Sequence, residues 1–508
     1  MTGSVEGASG AAETVHVAGS SAGTEGTAHV LRAMFGRDSL YLVVAALQMA
    51  CAALATPLIT RALGAPSFGR VAVAMAIMQI LGPLLSLGLQ TGVQKEHTRP
   101  GGTSVARALL GFTLIAASAS GGVLMATSPW WRAVTGLQST GLLLIATGWG
   151  VLAAPTSVAL SLLRAQSRLA LFTAISLVQA AGGQICGFAG VLIVSRSAGA
   201  YLLGLLVGQL AALCVSVAVL RPRLSGFGGA SKLRRVLAFS LPLVPQQLGG
   251  LILMAGDRLV VQHDIGARAT ARYAVAYAVG SLAMALVTLV NQAWLPRMFA
   301  LGSAAARRKL TEEMRAGLEC VAAPSTLALC VGAPVMLKLW APASYDPSGL
   351  GLVASVVAVT TAANVAFVAN LWGVLDSGRT PQLALATVAA AVLNIGLNIV
   401  LVPMWGITGS AAATTVSYGA LAWGTRLASS REVRLPGRRP AVALLSWTTI
   451  ALGLGSAELP ASSVWLGART ASAVLLAGAG LGIGRWVARG RLLGGGGEER
   501  DPPEAVNI

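Results

Sequence analysis

The chain has 508 residues, 55% of them hydrophobic and only 11% charged, with a formal net charge of +18. Soluble globular proteins carry about 25% charged residues, so charges this sparse cannot cover the water-facing surface of so long a chain. The composition excludes an ordinary soluble protein and indicates one that lipid solvates. We predict no nucleic-acid partner, because no binding motif with interleaved aromatic residues accompanies the positive charge.

The first thirty residues are rich in Gly, Ser, Ala and Thr and contain no apolar core. A signal peptide needs such a core, whereas this composition is typical of disorder. We predict a disordered cytoplasmic tail over residues 1–37.

Apolar segments of about 20 residues, long enough to cross a bilayer, then follow one another to residue 484. They lie at residues 40–60, 71–93, 106–127, 139–163, 170–194, 199–220, 237–257, 273–295, 317–337, 350–372, 382–402, 407–426, 441–459 and 464–484. The sequence therefore predicts an all-α integral membrane protein with about 14 transmembrane helices.

The basic residues are distributed unevenly between the predicted loops. With the N-terminus inside, 27 of the 36 Lys and Arg residues lie in the tails and cytoplasmic loops. Cytoplasmic loops are enriched in Lys and Arg, so we expect both termini in the cytoplasm of a bacterial cell, in a multi-pass protein of its inner (plasma) membrane.

The chain contains an internal repeat. Residues 63–73 (LGAPSFGRVAV), after the first span, match residues 265–275 (IGARATARYAV), after the seventh, at Gly, Ala, Arg, Ala and Val. In so Ala-rich a sequence, chance similarity is the alternative. Six spans separate the copies, an even number, so the two halves share one orientation about an axis along the membrane normal. We predict two six-helix bundles of like orientation plus two C-terminal helices.

These observations divide the chain into seven predicted parts. They are the tail 1–37, an N-terminal six-helix bundle at 38–220, a basic cytoplasmic linker at 221–236, a C-terminal six-helix bundle at 237–428, a basic cytoplasmic loop at 429–440, two appended helices at 441–486 and a cytoplasmic tail at 487–508.

Cysteine and histidine give no sign of a metal or disulfide framework. The five cysteines lie in apolar segments without CxxC spacing, and the four histidines form no cluster. We predict buried thiols, no bound metal and no cofactor.

Four short motifs resemble the polysaccharide-exporting branch of the multidrug/oligosaccharidyl-lipid/polysaccharide flippase superfamily. In chain order they lie at residues 60–64 with 68–69 (TRALG, FG); 241–245 (LPLVP) with 257–258, 266 and 273–277 (DR, G, YAVAY); 294–296 (WLP); and 403–414 (PMWGITGSAAAT). Each motif is weak alone, but their order and spacing over residues 38–430 are more specific.

The resemblance implies a two-lobed, V-shaped helical transporter that works by alternating access. Its cargo would be a saccharide on a polyprenyl pyrophosphate, moved from the inner to the outer leaflet for cell-surface polysaccharide, such as lipopolysaccharide. We expect a monomeric transport unit with membrane lipid and polysaccharide assembly enzymes around it.

The sequence is compatible with two other functions. A small-molecule or multidrug antiporter of the same fold is one, although residues 40–60 lack the acidic residue that many multidrug members carry in the first helix. A membrane-embedded polymerase or glycosyltransferase is the other; it would need a large outer loop or a pair of carboxylates, so we expect no enzyme.

Charged residues inside the spans are the first candidates for binding this cargo. Arg61 ends the first span, and Asp257 and Arg258 end the seventh. Arginine remains charged and binds phosphate oxygens in pairs, and a charge at membrane depth normally faces a cavity or a partner. The alternative is that both arginines extend to the outer interface and Asp257 pairs with one of them.

Amides form the second set of candidates for cargo binding. A sugar-binding cavity needs such groups, but hydrogen bonding between helices is the alternative role. They are Gln48, Gln246, Gln247, Asn364, Asn370, Asn394 and Asn398.

The predicted topology can be tested by thiol labelling. In a variant without the native cysteines, Gly228→Cys should not react with a membrane-impermeant maleimide in intact cells, whereas Ser348→Cys, in a predicted outer loop, should react. Labelling at position 228 and not at 348 would reverse the orientation.

Overall fold

The computed structural model describes residues 37–137, 139–223, 230–288, 291, 303–429, 440–458 and 463–493. The regular elements in those ranges are all helices, as expected where lipid offers no partner to the backbone polar groups. The predicted tail up to residue 36, the motif at 294–296 and residues 494–508 lie outside the described ranges.

The N-terminal bundle contains six spans, one of which is broken. Its helices are α1 Arg37–Ala62, α2 Ala65–Ser86, α3 Leu89–His97, α4 Gly102–Ala126, α5 Ser128–Thr135, α6 Thr140–Ala165, α7 Leu169–Val194 and α8 Ala198–Leu220. Leu87 and Gly88, both with positive φ, separate α2 from α3 within the second span. The short helix α5 caps the connection between α4 and α6.

The helices in the range predicted for the C-terminal bundle have more breaks. Its helices are α9 Ala230–Ser240, α10 Val244–Ala255, α11 Asp257–Asp264, α12 Ala267–Gly280, α13 Leu282–Thr288, α14 Ala304–Trp340, α15 Gly351–Asp376 and α16 Thr380–Ala428, followed by α17 Pro440–Gly455 and α18 Ser463–Leu493. A 3₁₀ turn at Leu241–Leu243, which contains Pro242, separates α9 from α10. Because α9 begins at Ala230, the second half of the predicted linker is helical.

Helix α16 is a helical hairpin. Gly406 has φ +60°, outside the helical region, and a Cβ on Gly409 would lie 2.1 Å from the carbonyl oxygen of Leu401. In a straight helix these residues would be about 12 Å apart, so the chain reverses at Gly406. The two arms are the predicted spans 382–402 and 407–426.

Helix length and apolarity confirm a multi-pass membrane protein. In the described ranges ten helices can span a bilayer, or eleven if the bent pair α12 and α13 is one span. In this count the two arms of α16 together are one helix. The total of fourteen spans remains a prediction.

The two copies of the repeat lie at equivalent corners and contact each other. Each copy joins the end of one span to the start of the next, at α1–α2 and at α11–α12. A Cβ on Gly69 would lie 1.8 Å from the carbonyl oxygen of Ala267, so the backbones of α2 and α12 touch. This contact joins the bundles at the end of the molecule that the predicted topology places outside.

The bundles also meet at the opposite end, through α3 and α9. Glu96, on α3, lies 3.3 Å from the guanidinium of Arg235 on α9. The ammonium of Lys95 lies 3.7 Å from the centre of the Phe239 ring. The two bundles therefore contact each other at both ends of this seam.

The close approach of α2 and α12 predicts a sharp difference between two glycines. Gly69→Ala should destabilise the protein by about 1–3 kcal/mol, because the added methyl overpacks a backbone contact. Gly82→Ala, on the same helix but with no atom within 4 Å of the added Cβ, should leave stability unchanged or slightly raised. Thermal unfolding of the detergent-purified variants measures both. Equal melting temperatures for Gly69→Ala and the wild type would contradict the contact.

Candidate functional site

The side chain of Asp257 lies in the interior of the C-terminal bundle. It begins α11 and is 1% exposed. The Tyr273 hydroxyl, on α12, donates to its carboxylate over 2.5 Å, and the backbone N–H of Arg258 donates over 2.8 Å. The Thr414 hydroxyl, on the second arm of α16, lies 3.4 Å away. One carboxylate thus joins three segments of the bundle.

Arg258 provides the positive charge beside this carboxylate. Its Nη1 donates to the carbonyl oxygen of Met254 over 2.8 Å and lies 3.7 Å from Asp257. Its guanidinium stacks over the Tyr277 ring at 4.7 Å, a favourable cation–π geometry. The side chain retains 15% exposure, whereas Asp257 is sealed, so Arg258 is the accessible member of the pair.

The predicted amides Asn394 and Asn398 extend the polar set into α16. Asn398 donates to the carbonyl oxygen of Asn394 over 2.8 Å and accepts from the Ser410 hydroxyl over 2.7 Å. Ser410 in turn offers its carbonyl oxygen to Thr414 at 3.1 Å. The Nδ2 group of Asn394 is buried and has no hydrogen-bond partner within the described part of the chain. A continuous row of polar groups thus runs from Asn394 to Asp257.

The other predicted residues lie elsewhere. Gln48 donates to the carbonyl oxygen of Ser176 over 3.3 Å, which ties α1 to α7 within the N-terminal bundle. Asn370 donates to the carbonyl oxygen of Ala422 over 3.1 Å, between α15 and α16. The remaining amides are buried or half-buried on α10 and α15; they are Gln246, Gln247 and Asn364.

Arg61 does not join the set around Asp257. Its Nη2 donates to the carbonyl oxygen of Leu339 at the end of α14 over 2.9 Å, and Nη1 lies 3.4 Å from the carbonyl oxygen of Pro57 in its own helix. The two arginines that the sequence assigned to equivalent helix ends therefore have different environments.

Three residues of the polar row were not predicted as site residues: Tyr273, Ser410 and Thr414. All three belong to the motifs at 273–277 and 403–414, and Ser410 and Thr414 are one helical turn apart. That spacing puts them on one face, which is the signal that could have identified them.

The groups of the polar row offer charge and hydrogen bonding. Within the described ranges no group of three or more His, Cys, Asp or Glu residues is arranged to hold a metal ion. The carboxylate with its hydroxyl and amide oxygens can accept a proton or a hard cation, and the half-buried arginine can meet an anion.

Comparison with known proteins agrees with this architecture. A family model described as polysaccharide biosynthesis protein matches residues 35–301, just over half of the chain. No curated protein sequence matches significantly.

The solved structures that share the fold include the following two. The lipid II flippase MurJ in an inward closed conformation has a TM-score of 0.63 at 12% identity, over 89% of this chain and 99% of that chain. An inward-facing multidrug resistance MATE family transporter of the MOP superfamily has a TM-score of 0.60 at 15% identity, over 79% and 96%. The resemblance drawn from the four motifs is thereby confirmed, and the chain belongs to the polysaccharide biosynthesis protein family.

Proposed function

We propose that the protein is a flippase that carries a lipid-linked oligosaccharide from the inner to the outer leaflet of a bacterial plasma membrane, with both termini in the cytoplasm. The cargo would be a saccharide on a polyprenyl pyrophosphate, used for cell-surface polysaccharide. The observation that carries the proposal is Arg258, a cation 15% exposed beside a buried carboxylate, just after a helix that can span a membrane.

The placement of this charge supports an anionic cargo. A lone charge at membrane depth costs about 2.5–3.5 kcal/mol on insertion scales, and Asp257 offsets this cost while no cargo is bound. Because Asp257 is held by Tyr273, Thr414 and the backbone of Arg258, it would remain in place when the guanidinium turns to a phosphate. The arginine can then exchange one anionic partner for another.

The membrane potential favours this direction of transport. A pyrophosphate headgroup carries about two negative charges, and each contributes about 2.3 kcal/mol per 100 mV of inside-negative potential when it moves outward. The empty site, in which Asp257 lies 3.7 Å from Arg258, carries little net charge, so the field does not oppose its return. Export would therefore need no energy source at this site other than the membrane potential.

The family and the shared fold support the same conclusion. The family description concerns polysaccharide biosynthesis, and one of the two similar structures is titled a lipid II flippase. Two bundles that touch along one seam at both ends, with the like orientation that the repeat predicts, would suit an alternating-access cycle, in which one end opens while the other remains closed.

A small-molecule antiporter is the second candidate, favoured by the buried carboxylate of Asp257 and by the similarity to a multidrug transporter. The two functions differ in their cargo. Expression in a drug-hypersensitive strain should raise resistance if the protein is an antiporter, and should leave it unchanged if the protein is a flippase.

Substitution of Arg258 tests the proposed function. Arg258→Gln should reduce complementation of a flippase-deficient strain by on the order of tenfold or more, the loss of one charge-assisted contact, at near-normal abundance. Arg258→Lys should retain part of the activity, because it keeps the charge but loses the paired geometry. Complementation and immunoblotting of the membrane fraction are measured together.

Arg70→Gln is the matched control. Arg70 is an exposed arginine near the start of α2, and this substitution removes the same charge. It should complement as the wild type does. Full complementation by Arg258→Gln at equal abundance would mean that Arg258 is an interfacial anchor and not part of the transport path.

A further inference from the structure

The connection between α14 and α15 contains a large side chain that is completely buried, which is rare in a connecting loop. Residues 341–350, which we call the clasp loop, form two 3₁₀ turns at the end that the topology places outside. Loops normally run exposed over the surface, yet Tyr345 at the centre of the clasp loop is 0% exposed. A large side chain from a connecting loop is thus wholly inside the protein.

Tyr345 is buried against the other bundle. Its hydroxyl donates to the carbonyl oxygen of Leu63, at the corner between α1 and α2, over 3.0 Å. Its ring packs edge-on against Phe68 of α2, with centroids 6.1 Å apart. The clasp loop belongs to the C-terminal bundle, but the side chain of Tyr345 is buried in the N-terminal bundle.

The end of α14, next to the clasp loop, adds two further bonds across the same boundary. The Thr60 hydroxyl donates to the carbonyl oxygen of Trp340 over 2.7 Å, and Arg61 donates to that of Leu339 over 2.9 Å. All three hydrogen bonds end on backbone carbonyls, and none joins two opposite charges. Such contacts are individually modest, so they can break and re-form.

The clasp loop is fixed firmly to its own bundle. Arg272, on α12, donates through Nε to the carbonyl oxygen of Tyr345 over 3.1 Å and through Nη2 to the carboxylate of Asp346 over 2.8 Å. Ser348 donates to the same carboxylate over 2.9 Å. The ion pair between Arg272 and Asp346 holds the clasp loop to its own bundle, whereas a single uncharged hydrogen bond joins Tyr345 to Leu63. We therefore expect separation at the Tyr345–Leu63 side.

We propose that the clasp loop is the outer gate of the transport path and that Tyr345 is its closing residue. This inference rests on the proposed function. When the path opens outward, Tyr345 leaves Leu63 and Phe68 and moves with Arg272 and the C-terminal bundle. Burial also raises the pKa of the Tyr345 hydroxyl above its ordinary value of 10.0, so the group remains a hydrogen-bond donor at physiological pH.

Accessibility of a thiol at the corner tests the gate without reference to cargo. In a variant without native cysteines, Leu63→Cys is the reporter, because Leu63 is 1% exposed and keeps its carbonyl oxygen. A membrane-impermeant maleimide should label it slowly in intact cells. Tyr345→Ala should raise the initial labelling rate by on the order of tenfold, and Tyr345→Phe by a smaller factor, since it removes the hydrogen bond alone.

Tyr201→Ala is the matched control. Tyr201 is equally buried, but it bonds to Gln184 and packs against Phe188 inside the N-terminal bundle. It should not change the labelling rate at position 63. An unchanged rate in Tyr345→Ala, or labelling only by a membrane-permeant reagent, would overturn the proposal.

A disulfide across the boundary supplies a second test. Thr60→Cys with Trp340→Cys should cross-link under oxidation, stop complementation, and recover it on reduction. Complementation that persists with the cross-link complete would overturn the gate. If the gate responds to Tyr345 but the wild type moves no lipid-linked oligosaccharide, the proposed cargo is wrong and the gate stands.

Discussion

A buried charge in a bilayer must have its partner inside the protein, and the carboxylate of Asp257 shows how the C-terminal bundle satisfies this constraint. Three segments that are far apart in the chain supply its contacts: α11 itself, α12 through Tyr273 and α16 through Thr414. The carboxylate therefore connects three helices of that bundle through its hydrogen bonds. Beside this carboxylate, the guanidinium of Arg258 has a partner for its charge and is still partly exposed.

The polar row and the clasp loop meet in one helix. Tyr273, which bonds to Asp257, directly follows Arg272, which holds the clasp loop. On neighbouring residues of a helix, side chains point about 100° apart, so α12 carries one contact toward the bundle interior and one toward the outer loop. A movement of α12 therefore changes both the surroundings of Asp257 and the position of Tyr345.

Much of the architecture could be predicted from the sequence, because lipid imposes a simple rule on composition. Apolar length indicates spans, and the repeat at residues 63–73 and 265–275 indicates two like bundles; the reversal at Gly406 falls between two predicted spans. The sequence also showed that Asp257 and Arg258 are charged residues at the end of an apolar segment. It could not show the contact between Asp257 and Thr414, since the two lie 157 residues apart and only packing brings them together. Arg61 illustrates the limit: its sequence context resembles that of Arg258, but its environment is set by the end of α14, 278 residues away.

The adjacency of Asp257 and Arg258 has a consequence for biosynthesis. At about 5–20 residues per second, a ribosome needs on the order of 10–30 s to reach Thr414 after Asp257. During that interval the carboxylate has only the partners that have already been translated, first Arg258 and then Tyr273, 16 residues later. Opposite charges on consecutive residues neutralise each other within the nascent segment, so α10 and α11 can leave the insertion machinery for lipid before α16 exists.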